Sequence, residues 1–254
     1  MIRVNFQPMQ KADRSDDGSL LVHSVFWTIQ GEGPNAGKRA VFLRLGGCNL
    51  ECPGCDTEYT NGSFRDSVDE IMRRISIAHG SHTTQPCLVV ITGGEPFRQN
   101  ILPLVNKLIV DGYTVQVETN GTLGLNLSHV TRETFLKLQV VCSPKAAKVH
   151  ESLHHFITAY KYVVNADDID FNDGLPLSVL GMPARPARPH ADFEGTVYVQ
   201  PAEEKSGLAR IQDLGLARAS ANQANTNNLN AAIDSVMQFG HTLCLQTHKI
   251  AGLE

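Results

Sequence analysis

Three cysteines lie within eight residues of one another in this sequence. Cys48, Cys52 and Cys55 have the spacing CxxxCxxC and follow Gly46-Gly47. Three thiolates on one short loop can hold three irons of a [4Fe–4S] cubane, and the fourth iron is then open to a small chelating ligand. The amine and carboxylate of S-adenosylmethionine (SAM) form such a ligand, and an electron from the cluster can cleave its sulfonium. The pattern therefore predicts radical chemistry at an iron–sulfur cluster.

A zinc site is the alternative interpretation of these cysteines. A closed structural zinc site needs four ligands, and the fourth would be Cys87, Cys142, Cys244 or a histidine. Zinc ribbons usually carry a second paired CxxC, which this sequence lacks. We favour the cluster and interpret the three scattered cysteines as core residues, since free cysteines in apolar strands are usually buried.

Polar groups follow nearly every predicted strand. In parallel α/β folds the functional site lies at the carboxyl ends of the strands, so these groups are expected to meet there. Besides the cysteines, the motifs are Thr92-Gly93-Gly94-Glu95, Glu118-Thr119-Asn120-Gly121, Ser143-Pro144-Lys145 and Gln200-Pro201.

The elements that position these motifs are short strands alternating with amphipathic helices. Predicted strands cover 39–45, 87–91, 114–117, 140–142, 160–164, 196–199 and 242–245. Predicted helices cover 66–79, 101–110 and a late segment around 229–237 that is capped by Thr226 or Asn227. The alternation predicts parallel βαβ units and hence a full or partial (β/α) barrel.

Composition fits a single sizeable α/β domain. The chain has 254 residues, of which 42% are apolar and 19% charged. A net charge of −4 gives no basic footprint for nucleic acid. No apolar run is long enough to span a bilayer, and the first residues lack a signal-peptide core, so we expect no membrane association and a cytoplasmic location.

The predicted domain organisation has three parts. Residues 1–20 are interpreted as a peripheral N-terminal arm, and residues 21–254 as a single domain. Within that domain a Pro/Arg-rich stretch near 181–192 is predicted to be an inserted surface loop.

The cysteine motif resembles the radical SAM superfamily, and the wider pattern resembles one family within it, the 7-carboxy-7-deazaguanine synthases. The resemblance spans residues 28–249 and is carried by Thr28-Ile29-Gln30-Gly31-Glu32-Gly33, Arg44, Cys55-Asp56-Thr57, Thr92 to Pro96, Glu118 to Gly121, Ser143-Pro144-Lys145 and Gln246-Thr247-His248-Lys249. The Cys-Asp-Thr and Gln-Thr-His-Lys segments are more specific than Gly-Gly-Glu-Pro, which is common in the superfamily.

The resemblance implies a lyase with a radical SAM type of partial barrel. It would convert 6-carboxy-5,6,7,8-tetrahydropterin into 7-carboxy-7-deazaguanine with loss of ammonia, in queuosine and deazapurine biosynthesis. Two alternatives stay open at this point: a radical SAM activase that installs a glycyl radical on a partner protein, and a non-enzymatic metal-binding module. An electron donor such as a flavodoxin and a homodimeric assembly are also expected.

The resemblance also implies site residues. SAM would be bound by Gly94, Glu95, Glu118, Asn120, Ser143, Pro144, Lys145, Gln200, Pro201, Ala202 and Glu203. The pterin would be bound by Ile29, Gln30, Gly31, Glu32, Arg44, Thr92 and His248, with Glu118, Lys145 and His248 as catalytic residues. Thr57 would ligate Mg²⁺ beside substrate oxygens.

These side chains have the chemistry that such roles require. Arg44 can hold a carboxylate in a bidentate fork, and Gln30 can pair with an amide-like pterin edge through a donor and an acceptor. Each also has an ordinary structural interpretation. Arg44 can be a paired strand-end arginine, His248 a buried histidine, and Glu95 a residue at a helix N-terminus.

Overall fold

The computed structural model describes residues 5–13, 15, 17–80, 86–204 and 214–253. Over this part of the chain nine strands form one sheet, in the order β3-β1-β2-β4-β5-β6-β7-β8-β9. The strands are β1 (Ser19–Ile29), β2 (Arg39–Leu45), β3 (Phe64–Ser67), β4 (Leu88–Gly93), β5 (Thr114–Thr119), β6 (Leu138–Cys142), β7 (Ile157–Val164), β8 (Thr196–Pro201) and β9 (Thr242–Leu243).

The predicted parallel pairing is confirmed for most of the sheet. Every neighbouring pair from β2 through β4 to β9 is parallel, while β1 pairs antiparallel with both β2 and β3. The sheet stays open rather than closing into a barrel, so the partial barrel is the correct form of the prediction. Within β4, Leu88 to Ile91 are all buried, as expected of a strand covered on both faces.

Five α-helices accompany the sheet in the described residues. They are α1 (Val68–Gly80), α2 (Leu102–Val110), α3 (Arg132–Lys137), α4 (Leu214–Phe239) and α5 (Thr247–Ile250). The helical spacing in α1 is confirmed, because Ile71 and Ile75 are fully buried and Val68 and Met72 pack on the same core. No described helix is both long and apolar enough to cross a membrane.

The late helix begins earlier than predicted. The predicted N-cap is Thr226 or Asn227, whereas α4 spans Leu214–Phe239 and both residues lie inside it. Thr226 lies inside the helix, and its hydroxyl donates back to Asn222 O at 2.9 Å. A threonine hydroxyl can cap a helix, and inside a helix it can instead bond to the carbonyl four residues earlier. The residue type alone does not distinguish these two positions, which explains the error.

The connection from β7 to β8, residues 165–195, contains no helix. Two isolated bridges, Ile169 with Pro176 and Val179 with Met182, give it internal order. Arg188 donates to both carboxylate oxygens of Asp173 and to Pro176 O. The predicted loop near 181–192 is thus the second half of an ion-paired irregular segment.

The segments that follow the first and last strands meet although β1 and β9 do not pair. Thr247 N donates to Gly31 O at 3.1 Å, and Gly33 N donates to Cys244 Sγ at 3.3 Å. These contacts join the segment after β1 to the segment after β9.

Candidate active site

A cavity of about 800 Å³ opens at the carboxyl ends of the parallel strands. It brings together most of the residues predicted for the site, contributed by the last residues of strands and by the segments that follow strands. Those that line it are Ile29, Gln30, Glu32, Arg44, Cys55, Thr57, Thr92, Gly94, Glu118, Asn120, Ser143, Lys145, Gln200, Pro201, Ala202, Glu203 and His248.

Five of the residues predicted for the site do not line the cavity. Cys48, Cys52, Glu95 and Pro144 are buried, as is Gly31, which packs against His248 in the cavity wall. Their predicted ligand roles stay predictions.

The cysteine loop is held close to the end of β4. Glu95 N donates to Gly47 O at 3.0 Å. A Cβ on Gly94 would lie 2.0 Å from Gly47 O and 2.9 Å from the Cβ of Cys48, so only glycine fits there. The Thr-Gly-Gly-Glu motif therefore places the cysteine loop as well as lining the cavity.

The three thiols form a donor set that fits an iron–sulfur cluster. Burial raises the pKa of Cys48 to about 12 and also raises the pKa values of Cys52 and Cys55, which the charge of Lys145 opposes. Three thiolates in this setting need a local positive charge, which cluster irons supply. Leu50 N lies 3.4 Å from Cys48 Sγ and can donate to it.

A single metal ion fits these residues less well. Within the described ranges no three His, Cys, Asp or Glu side chains converge on a point that one ion could occupy. A cubane does not require such a point, because each thiolate binds a different iron.

Glu95 is fully buried and engaged by three donors. Its carboxylate accepts from Thr119 Oγ1 at 2.7 Å, Asn120 N at 2.8 Å and Phe97 N at 3.0 Å. Burial nevertheless raises its pKa to about 7. Through these hydrogen bonds Glu95 connects the segment after β4 to the end of β5 and the turn that follows it.

Lys145 and Ser143, both predicted to bind SAM, are in hydrogen-bond contact with each other. Lys145 Nζ donates to Ser143 Oγ at 2.7 Å and to Ser143 O at 2.9 Å. Burial lowers the pKa of this lysine. The pair presents one cation and one hydroxyl at the end of β6.

The side-chain amide of Gln30 connects the segment after β1 to Glu118 at the end of β5. Gln30 Nε2 donates to Glu118 Oε1 at 2.9 Å, while Gln30 Oε1 accepts from Glu32 N at 3.1 Å. Gln116 Nε2 also donates to Glu118 Oε1, at 3.1 Å. The hydrogen-bonding groups of the segment after β1 are thus oriented before any ligand binds.

Lys161 is a site residue that the sequence analysis missed. It lies in β7, lines the cavity and forms an ion pair with Glu32, whose other oxygen accepts from Gln246 Nε2 at 2.7 Å. Burial of Glu32 is outweighed by Lys161, so the pKa of Glu32 falls to about 2. The signal available was one lysine in the otherwise apolar strand 160–164.

His248 and Arg44 stand at two further walls of the cavity. A Cβ on Gly31 would lie 1.8 Å from His248 Nδ1, so the glycine makes room for the imidazole. The guanidinium of Arg44 lies 6.0 Å from the centre of the Phe26 ring, which stacks on Phe42 at 5.5 Å. Phe26 and Phe42 both line the cavity and were also missed, because single aromatic residues in strands usually indicate core.

Lys249 connects the last segment of the chain to the cysteine loop. Its Nζ lies 3.4 Å from Asp56 Oδ2 and 2.5 Å from Glu203 Oε2. Thr57, the predicted Mg²⁺ ligand, follows Asp56 and faces the same cavity. The Cys-Asp-Thr and Gln-Thr-His-Lys motifs are therefore adjacent in space.

Comparison with known proteins gives a consistent picture. The family described as a 4Fe-4S single cluster domain matches residues 29–151. A 7-carboxy-7-deazaguanine synthase of Rhodospirillum rubrum is 38% identical over 96% of this chain and 96% of its own length. Its counterpart in Rickettsia prowazekii is 34% identical over 94% of this chain and 92% of its own length.

A solved structure shares the fold. The crystal structure of QueE from Escherichia coli superimposes with a TM-score of 0.63 at 22% identity, covering 90% of this chain and 94% of that chain. This likeness concerns the architecture of the sheet and its helices.

Proposed function

This chain belongs to the 7-carboxy-7-deazaguanine synthase family, and from that premise we propose that it is the radical SAM lyase that converts 6-carboxy-5,6,7,8-tetrahydropterin into 7-carboxy-7-deazaguanine with release of ammonia. The observation that carries the proposal is the 38% identity to the Rhodospirillum rubrum synthase over nearly the full length of both chains. The cavity supports it, because it unites the CxxxCxxC loop with polar groups suited to a charged heterocycle.

Cys48, Cys52 and Cys55 would hold the [4Fe–4S] cluster, and Glu95, Asn120, Ser143 and Lys145 lie within the adjoining part of the site. With SAM bound, the cluster supplies a radical that can abstract hydrogen from an unactivated carbon. The protein's task is to keep the adenosyl group and the substrate in near-contact geometry. Gly94, Glu118 and residues 200–203 are the other groups proposed to contact SAM.

The substrate would lie against the segment after β1. Gln30 offers an amide edge to a pterin, and Glu32 and Glu118 offer carboxylates to its N–H groups. Arg44 and His248 supply groups for the substrate carboxylate, with Ile29, Gly31 and Thr92 completing the contact surface. Lys161 would keep Glu32 ionised and therefore an acceptor.

We also propose that Thr57 contributes its hydroxyl to a Mg²⁺ ion beside substrate oxygens. A hard cation of this kind takes oxygen ligands and keeps several waters, so one protein hydroxyl is a sufficient anchor. Asp56 and Glu58 line the cavity on either side of Thr57 and add negative charge.

The proposal also includes an electron donor, a homodimeric assembly and a cytoplasmic location. A flavodoxin-like donor would supply the electron that the cluster needs. A homodimer would cover exposed apolar side chains such as Phe171 and Met237. A cytoplasmic location suits cysteines that are all free in the described structure.

The glycyl-radical activase is the less favoured alternative. The relatives described above carry the synthase name, and the residues after β1 and β9 give the cavity small-molecule dimensions. A non-enzymatic metal module would not require such a cavity.

Anaerobic turnover tests the function directly. The reconstituted protein is incubated with SAM, dithionite and the carboxytetrahydropterin, and the products are identified by mass. We expect 7-carboxy-7-deazaguanine and ammonia in equal amounts. Cleavage of SAM without conversion of the pterin would show that the substrate has been wrongly assigned.

A further inference from the structure

The cysteine loop, residues 48–57, contains no helix or strand and takes its shape from contacts with other segments. One backbone bond, Cys55 N to Cys52 O, lies within it, while Gly54 N donates to Leu180 O in the β7–β8 connection. Since backbone carbonyls buried in a protein need donors, what supplies those donors decides how firmly the loop is held.

Residues 5–13 of the N-terminal arm supply several of these donors. Gln10 N donates to Cys48 O at 2.7 Å. Asn5 Nδ2 donates to Cys52 O at 3.1 Å, and Asn5 N to Pro53 O at 3.1 Å. Gln7 Nε2 donates to Thr57 O at 2.8 Å. The arm therefore contacts the loop at two of its cysteines and just beyond the third.

The side chains of Asn5 and Gln7 act as one unit. Asn5 is only 2% exposed, and its Oδ1 accepts from Gln7 N at 3.0 Å and Gln7 Nε2 at 3.2 Å. Gln7 Oε1 in turn accepts from Tyr59 N and from Thr60 Oγ1, both at 2.9 Å. Both amides donate to loop carbonyls, and both amide oxygens are engaged as well, by Gln7 itself and by Tyr59 and Thr60 just beyond the loop. Surface packing alone would not require such complete pairing.

A buried arginine fixes the far end of the arm. Arg98 is 4% exposed and donates to Lys11 O and to Gly46 O, both at 2.9 Å. Asp13 N returns a bond to Arg98 O at 2.7 Å. The arm and the residue before the cysteine motif thus share one anchor beside the end of β4.

We propose that the N-terminal arm is part of the cluster site, with Asn5 and Gln7 as positioning residues that hold the loop of Cys48, Cys52 and Cys55 and shield it from solvent. The inference rests on the proposed function, because it presumes that these cysteines bind a cluster. It assigns a role to a segment that composition alone marks as a peripheral extension.

The test compares Asn5→Ala, Gln7→Ala and the double variant with the unchanged protein. Met9→Ser is the matched control, because Met9 lies in the same arm and is 62% exposed. After anaerobic reconstitution, iron and sulfide per chain are measured, followed by the rate at which the visible absorption bleaches in air. We expect bleaching to quicken about fivefold for each hydrogen bond lost, and Met9→Ser to match the unchanged protein.

A second measurement uses the cluster-free protein. Alkylation by iodoacetamide is followed by mass spectrometry at each cysteine, with the fully buried Cys142 as internal reference. We expect Cys52 and Cys55 to react faster in the double variant while Cys142 does not. Unchanged bleaching and alkylation, or a parallel rise at Cys142 that signals general destabilisation, would overturn the proposal. Failure of the unchanged protein to bind iron would instead count against the proposed function, and the alkylation result would still stand.

Discussion

Lys161 lies between two carboxylates that reach it from different parts of the chain. It forms an ion pair with Glu32, and the charge of Glu118 further raises its pKa, against the effect of burial. Since a buried pair is costly to separate, Lys161 and Glu32 act as a unit that fixes one hydrogen-bond acceptor in the cavity. The sequence identified Glu32 and Glu118 through the family pattern, but a lysine inside a strand has no motif of its own.

Lys161→Met should make activity depend on pH in the acidic range. In the unchanged protein the pKa of Glu32 lies near 2, below its ordinary value, so the stability gained from its ionised form is present above that ordinary value and lost only as the pH falls toward 2. Without Lys161, burial dominates and raises the pKa of Glu32. We therefore expect the acidic limb of the kcat/KM profile to move to higher pH.

Stability measurements on the same pair provide the control. Lys161→Met leaves a buried carboxylate unpaired and should lower the free energy of unfolding by about 3–5 kcal/mol. The double variant Lys161→Met/Glu32→Gln should recover much of that loss, as measured by urea denaturation. Equal stability of the single and double variants would mean that the two side chains are not coupled.

The six cysteines should separate into two groups on substitution. Cys48→Ala, Cys52→Ala and Cys55→Ala should each abolish cluster binding, measured as iron per chain. Cys87→Ala, Cys142→Ala and Cys244→Ala should keep the iron and lose only about 1 kcal/mol of stability, since all three are buried in the core or beside it. Loss of iron in Cys244→Ala with the fold intact would show that the ligand set is wrong.

At the scale of elements, the site depends on loops that follow strands from opposite ends of the sheet. Gly31 after β1 accepts from Thr247 Oγ1 at 3.2 Å as well as from the backbone of Thr247, which begins α5. Because the two segments are in contact, the imidazole of His248 occupies the space that a side chain at position 31 would need. Position 31 is therefore restricted by packing against another segment rather than by its own backbone angles.

Gly31→Ala should displace His248 without unfolding the protein. The added methyl group would overlap the imidazole, so the ring and the start of α5 must move. We expect kcat/KM to fall by about 100-fold, the loss that a misplacement near 1 Å can cause, with the iron content unchanged. Gly80→Ala is the control, because nothing lies within 4 Å of a Cβ at that position; equal effects of the two substitutions would contradict this assignment.

The sequence predicted the regular elements better than the irregular ones. β2 matches its predicted bounds, and α1 and α2 begin within two residues of theirs, because continuous apolar runs and helical spacing are local signals. The β7–β8 connection and the arm have no such period. The connection takes its shape from irregular pairs within it, such as Asp173 with Arg188, and the arm from partners distant in the chain, such as Asn5 with Cys52. The sequence alone does not pair these residues.

At the scale of the whole molecule, the sheet is open, and residues that follow its last strand complete the wall of the cavity. Gln246, His248 and Lys249 line the cavity, whereas the last strand ends at Leu243. The core and the final wall of the site are therefore separable. We therefore expect the sheet to form without residues 246–249, and the cavity to stay incomplete.

A chain that ends after Leu245 should fold and bind the cluster but make no product. It keeps all nine described strands and Cys48, Cys52 and Cys55, and loses Gln246, which donates to Glu32, and Thr247, which donates to Gly31. We expect near-normal iron content and circular dichroism, with product below detection by mass. Substantial product formation would mean that the segment after β9 has no part in the site.

The contact between Gly31 and Thr247 joins positions that are 216 residues apart. During synthesis on a ribosome at about 5–20 residues per second, the loop after β1 waits roughly 10 to 40 s for its partner to be made. Throughout that interval the nascent chain presents an unfinished substrate cavity. The cavity can thus be completed only after Thr247 has been made, long after the segment that carries Cys48, Cys52 and Cys55.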